Sequence, residues 1–199
     1  MKRTIVSYMV ATLVSLMAIG GLATTPLPIM AQVQPMVSNA ACGQVVSGLV
    51  NLTANLDCSG DGIIIGGDNT VVNMNGYSIT GPGPDSSKVG IMVPNTDNVI
   101  INGPGSINNF QAGVLVTGAN GMKLSSLILD SNQIGVFMTG SENTNVQQNI
   151  VKQNQLGIAT HSSSGVSITS NLMSGNVLAG ITFVNTQGSE VSMNNIDGS

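Results

Sequence analysis

The chain has no tryptophan, only two tyrosines and three phenylalanines, one histidine and two cysteines. Charged residues make up 7% of it, and arginine occurs once, at Arg3. Each scarcity removes a class of protein. Little charge combined with regular apolar spacing is the opposite of a solvated, disordered polymer. Beyond residue 31, three lysines face nine acids, a net charge of −6. That balance offers no basic patch to nucleic acid or to an anionic membrane surface. It also lacks the guanidinium fork that usually clamps carboxylates and phosphates. What remains is glycine, asparagine, serine and the β-branched residues, a composition that favours strands over helices.

The N-terminus has the form of an export signal. Lys2 and Arg3 precede an apolar run from Ile5 to Leu22, followed by the small and proline-rich TTPLPIMA. Residues 1–31 are assigned to a signal peptide or N-terminal anchor, with cleavage expected after Ala31, or after Ala23 as second choice. The 18-residue run is also long enough for an uncleaved anchor, the one route by which this chain would touch a membrane. Either way the basic end stays inside and the domain lies outside. The expected location is secreted, periplasmic or cell-surface. In that setting Cys42 and Cys58, sixteen residues apart, are expected to form a disulfide closing a loop worth about 3 kcal/mol. A cysteine-ligated metal is the alternative, but no histidine or third cysteine stands nearby.

An internal repeat organises the rest. Gly90, Gly113, Gly135, Gly157 and Gly180 recur at steps of 23, 22, 22 and 23, each opening a short alternating segment: GIMV, GVLV, GVFM, GIAT and GITF. Gly62 opens GIII one coil earlier, ahead of the insertion GPGPDSSKV. The first and third residues after each glycine are almost all apolar and share one strand face, the interior. Eleven residues on stand Ile101, Leu124, Val146, Ile168 and Val191, and sixteen on stand Leu129, Val151, Met173 and Ile196. Three short strands per coil predict an all-β fold, a single-stranded right-handed parallel β-helix of about six coils of 22–23 residues. The division expected is a leader over 32–41, a disulfide-closed cap over 42–61 and the β-helix over 62–199.

Two asparagine series follow the same spacing. Asn109, Asn132, Asn154 and Asn176 lie nineteen after their glycines, and Asn149, Asn171 and Asn194 lie fourteen after. Asparagine tolerates left-handed backbone, and its amide can bond the identical amide one coil away. Both series are therefore expected as structural ladders, because buried turns need their polar groups paired.

The stretch from Ala41 to Gly83, with its paired cysteines, CSGDG turn, and Asn69, Asn75, Gly76, Ile79 and Gly81, resembles the opening of exported β-helix proteins of the pectin-lyase-like superfamily. That group includes NosD-like periplasmic proteins and many carbohydrate-associated β-helices. The resemblance runs over about residues 41 to 199 and is specific for fold, since such superfolds host many functions. Enzymes of the superfamily use an arginine or lysine base beside calcium, clustered aspartates with a histidine, or aspartate, histidine and tyrosine together. This chain departs from each pattern. His161, four after Gly157, is expected in a solvated turn, with Glu142 as its nearest candidate partner. Asp97 and Glu142 share a coil position roughly 10 Å apart, the spacing of an inverting carboxylate pair. Exposed turn acids are the simpler account. Asp57, Asp61 and Asp68 flank the first coil without the six or more oxygens that calcium needs. Copper, raised by the NosD resemblance, needs clustered soft donors. Met36, Met74, Met92, Met122, Met138, Met173 and Met193 fall on different coil positions. No catalytic residue, metal site or cofactor is assigned.

The expected function is a non-catalytic envelope or extracellular β-helix that presents a face to polysaccharide or to another envelope protein. The alternative is a polysaccharide lyase, epimerase or hydrolase with an unrecognised site. The last coil reaches Ser199 without the polar cap that solenoids normally carry, so a longer helix is a further alternative. The face singled out lies two residues after each glycine, where Ile64, Met92, Leu115 and Phe137 put large apolar groups on the outward side of the first strand. Outward positions should be polar. The stripe is therefore expected to be an interaction surface anchored by Phe137, or else to be covered by the 81–89 insertion or the 32–41 leader.

Overall fold

The computed structural model describes residues 36–38 and 40–198. The N-terminal signal or anchor assigned to residues 1–31 lies outside them. The described residues contain no helix and form three parallel sheets wound as a β-helix. Every strand pairs only with its counterparts one coil before and one coil after. The first sheet runs through Gln44–Val46, Ile63–Ile65, Val89–Pro94, Ala112–Thr117, Ile134–Thr139, Leu156–His161 and Ala179–Val184. The second begins with Met36–Ser38 and Leu49–Asn51 and ends with Glu190–Ser192; the third runs from Leu56–Asp57 to Asn195–Asp197.

The fold class is as the repeat implied, with seven coils in place of about six. The additional coil is the 42–61 segment. Its strands Gln44–Val46, Leu49–Asn51 and Leu56–Asp57 pair with Ile63–Ile65, Val71–Asn73 and Ser78–Thr80, so it is a coil in its own right. Cys42 and Cys58 are bonded across it, with their Cα atoms 5.5 Å apart. The described part of the leader, Met36–Ser38, extends the second sheet by pairing with Leu49–Asn51.

Alternation sets the interior. Ile91, Val114, Val136 and Ile158 stack in one fully buried row, and Ile101, Leu124, Val146 and Ile168 in another. Such rows supply most of the stabilisation, at about 25 cal/mol per Å2 of apolar surface removed from water. The recurring glycines serve close approach between coils. A Cβ at Gly113 would come within 2.7 Å of Gly135 O, and one at Gly135 within 2.6 Å of Gly157 O. Any side chain there would force adjacent coils apart.

The asparagine ladders occupy two corners. Asn154 Oδ1 accepts the N–H of Asn132 (2.9 Å), and Asn176 Oδ1 accepts the N–H of Asn154 (3.2 Å). Asn149, Asn171 and Asn194 repeat this at the second corner, with N–H to Oδ1 distances of 2.9 Å at both steps. Each Nδ2 also donates inward to a strand carbonyl, such as Leu129 O from Asn154 (3.0 Å) and Leu124 O from Asn149 (3.1 Å). Two details differ from the sequence reading. The left-handed backbone belongs to the residue before each ladder asparagine: Ser131, Gln148, Gln153, Ser170, Gly175 and Met193 all have φ between 55° and 61°. That residue turns the corner and lets the asparagine project into the coil.

The second difference removes Asn109 from its ladder. Ser106–Asn108 is in register with Ile128–Asp130, which sets Phe110, not Asn109, above Asn132. Phe110 N–H donates to Asn132 Oδ1 at 3.0 Å. Asn109 itself has φ 60° and its Nδ2 bonds Asn108 Oδ1. The cause is one additional residue in the turn Gly103-Pro104-Gly105, where the next coil has only Ser126 and Leu127. Counting from Gly90 therefore lands one residue short.

Candidate functional site

The stripe expected on the first sheet is in register. Ile64 pairs with Met92, Met92 with Leu115, Leu115 with Phe137, and Phe137 with Ala159. All four large side chains are half-buried. A second apolar row runs beside it: Val89, Ala112, Ile134 and Leu156, each paired with the next, the first two buried and the last two half-buried. The coil glycines lie between the two rows. Leu115 and Phe137 on one side and Val89, Ala112 and Ile134 on the other bound a groove of about 250 Å3. Gln111 and Gln133 close its rim.

The glutamine rim was not singled out from the sequence, yet its signal is simple. Gln111, Gln133 and Gln155 stand two residues before Gly113, Gly135 and Gly157, with Lys88 two before Gly90. Backbone bonds hold them in a column: Gln111 N–H donates to Lys88 O (2.8 Å) and Gln155 N–H to Gln133 O (3.1 Å). The opposite margin is the row Pro94, Thr117, Thr139, His161. His161 is thus the exposed last residue of strand Leu156–His161, not a turn residue, because this strand extends four residues beyond Gly157.

Of the 81–89 insertion offered as a cover, only its last residue, Val89, lines the groove, and it does so as part of strand Val89–Pro94. The insertion 81–88 bends out at the corner between the third and first sheets, where Gly81 and Gly83 donate N–H groups to Asn108 O and Asn109 O at 2.9 Å each. The leader's Met36–Ser38 is committed to the second sheet.

The carboxylates do not assemble a reaction centre. Asp97 and Glu142 occupy the same column, through Asn120, as their spacing implied. Asp97 Oδ1 accepts the Asn120 N–H (3.1 Å), and Asp68 Oδ1 accepts the Asp97 N–H (2.8 Å). Asp61 Oδ1 accepts the Val89 N–H (3.0 Å), and Asp61 pairs with Lys88 at 3.7 Å. These acids close turns between coils. The ion pairs among the described residues are Asp61–Lys88 and Asp130–Lys152, so His161 and Glu142 are not joined. Glu142 lies instead in a polar groove of about 280 Å3 with Ser141, Ser162, Ser163 and Ser164. Two of those hydroxyls are spent on the turn: Ser163 Oγ accepts the Ser141 N–H (3.2 Å), and Ser141 Oγ donates to Thr139 O (3.1 Å).

Alternation also places Ile128, Ile150 and Leu172 in one outward row on the third sheet, 37%, 37% and 43% exposed. The sequence carries this signal one residue before each inward Leu129, Val151 and Met173. It is a single row, one residue wide on each coil.

The histidine, cysteines and core methionines of the described residues do not make a donor set that fits copper. Both thiols are joined in the disulfide, and His161 is the lone imidazole. Met74, Met122, Met138 and Met173 are buried in the core. Among the described residues no three His, Cys, Asp or Glu side chains converge. A soft-metal site needs such convergence.

Solved structures with a similar course are distant. A Parabacteroides merdae protein named as a candidate glycosyl hydrolase aligns at 11% identity and a TM-score of 0.42, over 72% of this chain and 80% of its own. The enzymatically active domain of bacteriophage CBA120 tailspike protein 2 aligns at 11% and 0.34, over 78% of this chain and 38% of its own. The A-module of an Azotobacter vinelandii mannuronan C-5 epimerase aligns at 10% and 0.28, over 83% and 85%. No curated protein matches the chain. A family model does, over residues 47–199, and its description is periplasmic copper-binding protein (NosD). That span takes in all but the opening of the β-helix; the chain belongs to the NosD family, whose place is outside the cytoplasm.

Proposed function

We propose that this protein is an exported, non-catalytic β-helix that holds a polysaccharide against the outward face of its first sheet. The observation that carries the reading is the groove between the Leu115–Phe137 row and the Ala112–Ile134 row, rimmed by Gln111 and Gln133. Outward strand positions on a solvated sheet are ordinarily polar, and contiguous apolar surface rimmed by polar groups marks interaction sites. The groove is shallow and below the roughly 300 Å3 at which enclosed small-molecule sites begin. A polymer laid along the surface suits it better than a small molecule swallowed whole. The coil repeat then offers the same contact about every 4.8 Å along the axis. Apolar and aromatic surface receives the C–H faces of sugar rings, and amides both donate to and accept from hydroxyls.

The acids support binding rather than turnover. Asp61, Asp68 and Asp97 each accept a backbone N–H of a neighbouring coil. No acid–base pair stands within hydrogen-bond reach across the groove, which general acid–base catalysis requires. The test incubates the exported protein with neutral and acidic polysaccharides, with and without calcium. It follows unsaturated products, new reducing ends and retardation of the protein in gels containing each polymer. Retardation without product is expected. Catalytic release of product from any polymer overturns the non-catalytic reading.

A further inference from the structure

We infer that the polysaccharide taken by this groove is uncharged, an inference that rests on the reading of the first sheet as a polysaccharide-binding face. The groove is lined by apolar groups and amides, and its margins add hydroxyls, the His161 imidazole at one end and the Lys88 ammonium at the other, so what decides between neutral and acidic polymers is the charge that surrounds them. Three lysines are available among the described residues, and none is free at this face. Lys88 heads the glutamine column but pairs with Asp61 at 3.7 Å. Lys152 stands on the third sheet, paired with Asp130 at 3.3 Å. Lys123 lies on the second sheet, between Ile100 and Asn145.

A uronate polymer would therefore bring a carboxylate on every sugar to a face with no unpaired cation, on a domain carrying six net negative charges beyond residue 31. Like-charge juxtaposition both slows encounter and costs affinity. Each carboxylate would also shed water without gaining a charged partner. A neutral sugar meets neither penalty. Its hydroxyls can exchange water for the Gln111 and Gln133 amides, and its ring face can lie on Leu115 and Phe137. The amide column and the apolar row advance in the same register, so successive coils present the same pair of contacts to successive parts of one chain.

Affinity electrophoresis of the folded, exported protein tests this with dextran, mannan, xyloglucan and β-glucan as neutral probes, and alginate and polygalacturonate as acidic ones. Wild type is compared with Phe137→Ala, Gln133→Ala and, as an off-face control, Ile150→Ser. Thermal unfolding confirms that each variant is folded. The expected result is retardation by at least one neutral polymer, equal at low and high salt. Phe137→Ala should weaken it about tenfold, the scale of one lost aromatic contact. Gln133→Ala should weaken it several-fold, and Ile150→Ser should leave it unchanged. Should Phe137→Ala fail to fold, Gln133→Ala carries the test alone. Salt-sensitive retardation by alginate or polygalacturonate overturns this inference while leaving the polysaccharide reading standing. No retardation by any of the six overturns both. Neutral retardation indifferent to both groove variants places the site elsewhere and overturns the assignment of this face.

Discussion

Replacing Asn154 by alanine tests the asparagine ladder at its most connected rung. Its Oδ1 accepts the N–H and the Nδ2 of Asn132, at 2.9 and 3.2 Å. Its Nδ2 donates to Leu129 O (3.0 Å), Lys152 O (2.9 Å) and Asn176 Oδ1 (3.0 Å). Truncation leaves the backbone N–H of Asn132, a residue 2% exposed, without its acceptor, and takes the side-chain donor from Leu129 O. Asn176 Oδ1 keeps the Asn154 backbone N–H, Asn132 Nδ2 keeps Ile107 O and Lys152 O keeps the Ser131 N–H, so the damage is confined to those two groups. At about 1–3 kcal/mol for the buried N–H left unpaired, and about 1 kcal/mol for the second bond lost at Leu129 O, the expected loss is about 3 kcal/mol. For a domain of this size that lowers the melting temperature by roughly 10 °C.

Asn109→Ala is the informative control, because simple counting from the coil glycine puts Asn109 and Asn154 at the same position. The Asn109 side chain bonds only its neighbour's side chain, so its truncation should cost no more than about 1 kcal/mol, chiefly from alanine's poorer fit to the left-handed backbone at φ 60°. Equilibrium urea unfolding of both variants, with unchanged m-values, measures the difference. Equal losses, or a loss below about 1 kcal/mol at Asn154, would refute the reasoning: the ladder would then be ornamental, or the register wrong.

Gly135→Ala should cost about 1–3 kcal/mol by overpacking, since the new methyl would meet Gly157 O at 2.6 Å and Val151 Cγ1 at 2.9 Å. Gly60→Ala, where a Cβ meets nothing within 4 Å, should be near neutral in the same urea titration. Cys42→Ser should destabilise by about 3 kcal/mol, and a reductant should have the same effect on wild type but none on the variant; two free thiols in native exported protein would contradict it. Asp130 and Lys152, 3.3 Å apart and partly exposed, should show a coupling no larger than about 1 kcal/mol in a double-mutant cycle, shrinking as salt is added.

The inward rows were legible because burial constrains every member. A polar group at the positions of Val136 or Ile168 would strand a buried dipole, so the alternation shows through even without aromatic or charged landmarks. The corners were less legible. Left-handed geometry is accepted there by serine, glutamine, glycine and even methionine at the residue before each asparagine, so no residue type marks it. The turn between the second and third strands has two residues in the later coils and three at Gly103-Pro104-Gly105, and that one-residue change moved Asn109 off its column. The 42–61 segment passed for a cap because its strands lack the glycine spacing of later coils.

Outward rows obey no such rule, and that is why the groove was only half visible. A solvent-facing glutamine, threonine or serine is nearly equivalent for folding, so the column Gln111, Gln133, Gln155 leaves no energetic trace in the sequence beyond its own repetition. The apolar half stood out only because Met92, Leu115 and Phe137 break the polar expectation for a solvated face. The backbone ladder, the glycine contacts and the asparagine rungs fix each coil without help from these side chains. Exposing them costs apolar surface in water, about 25 cal/mol per Å2, with nothing inside the described fold to offset it. A ligand that covers Leu115 and Phe137 would recover that cost, and a groove of amides and apolar groups without an unpaired cation selects a neutral one.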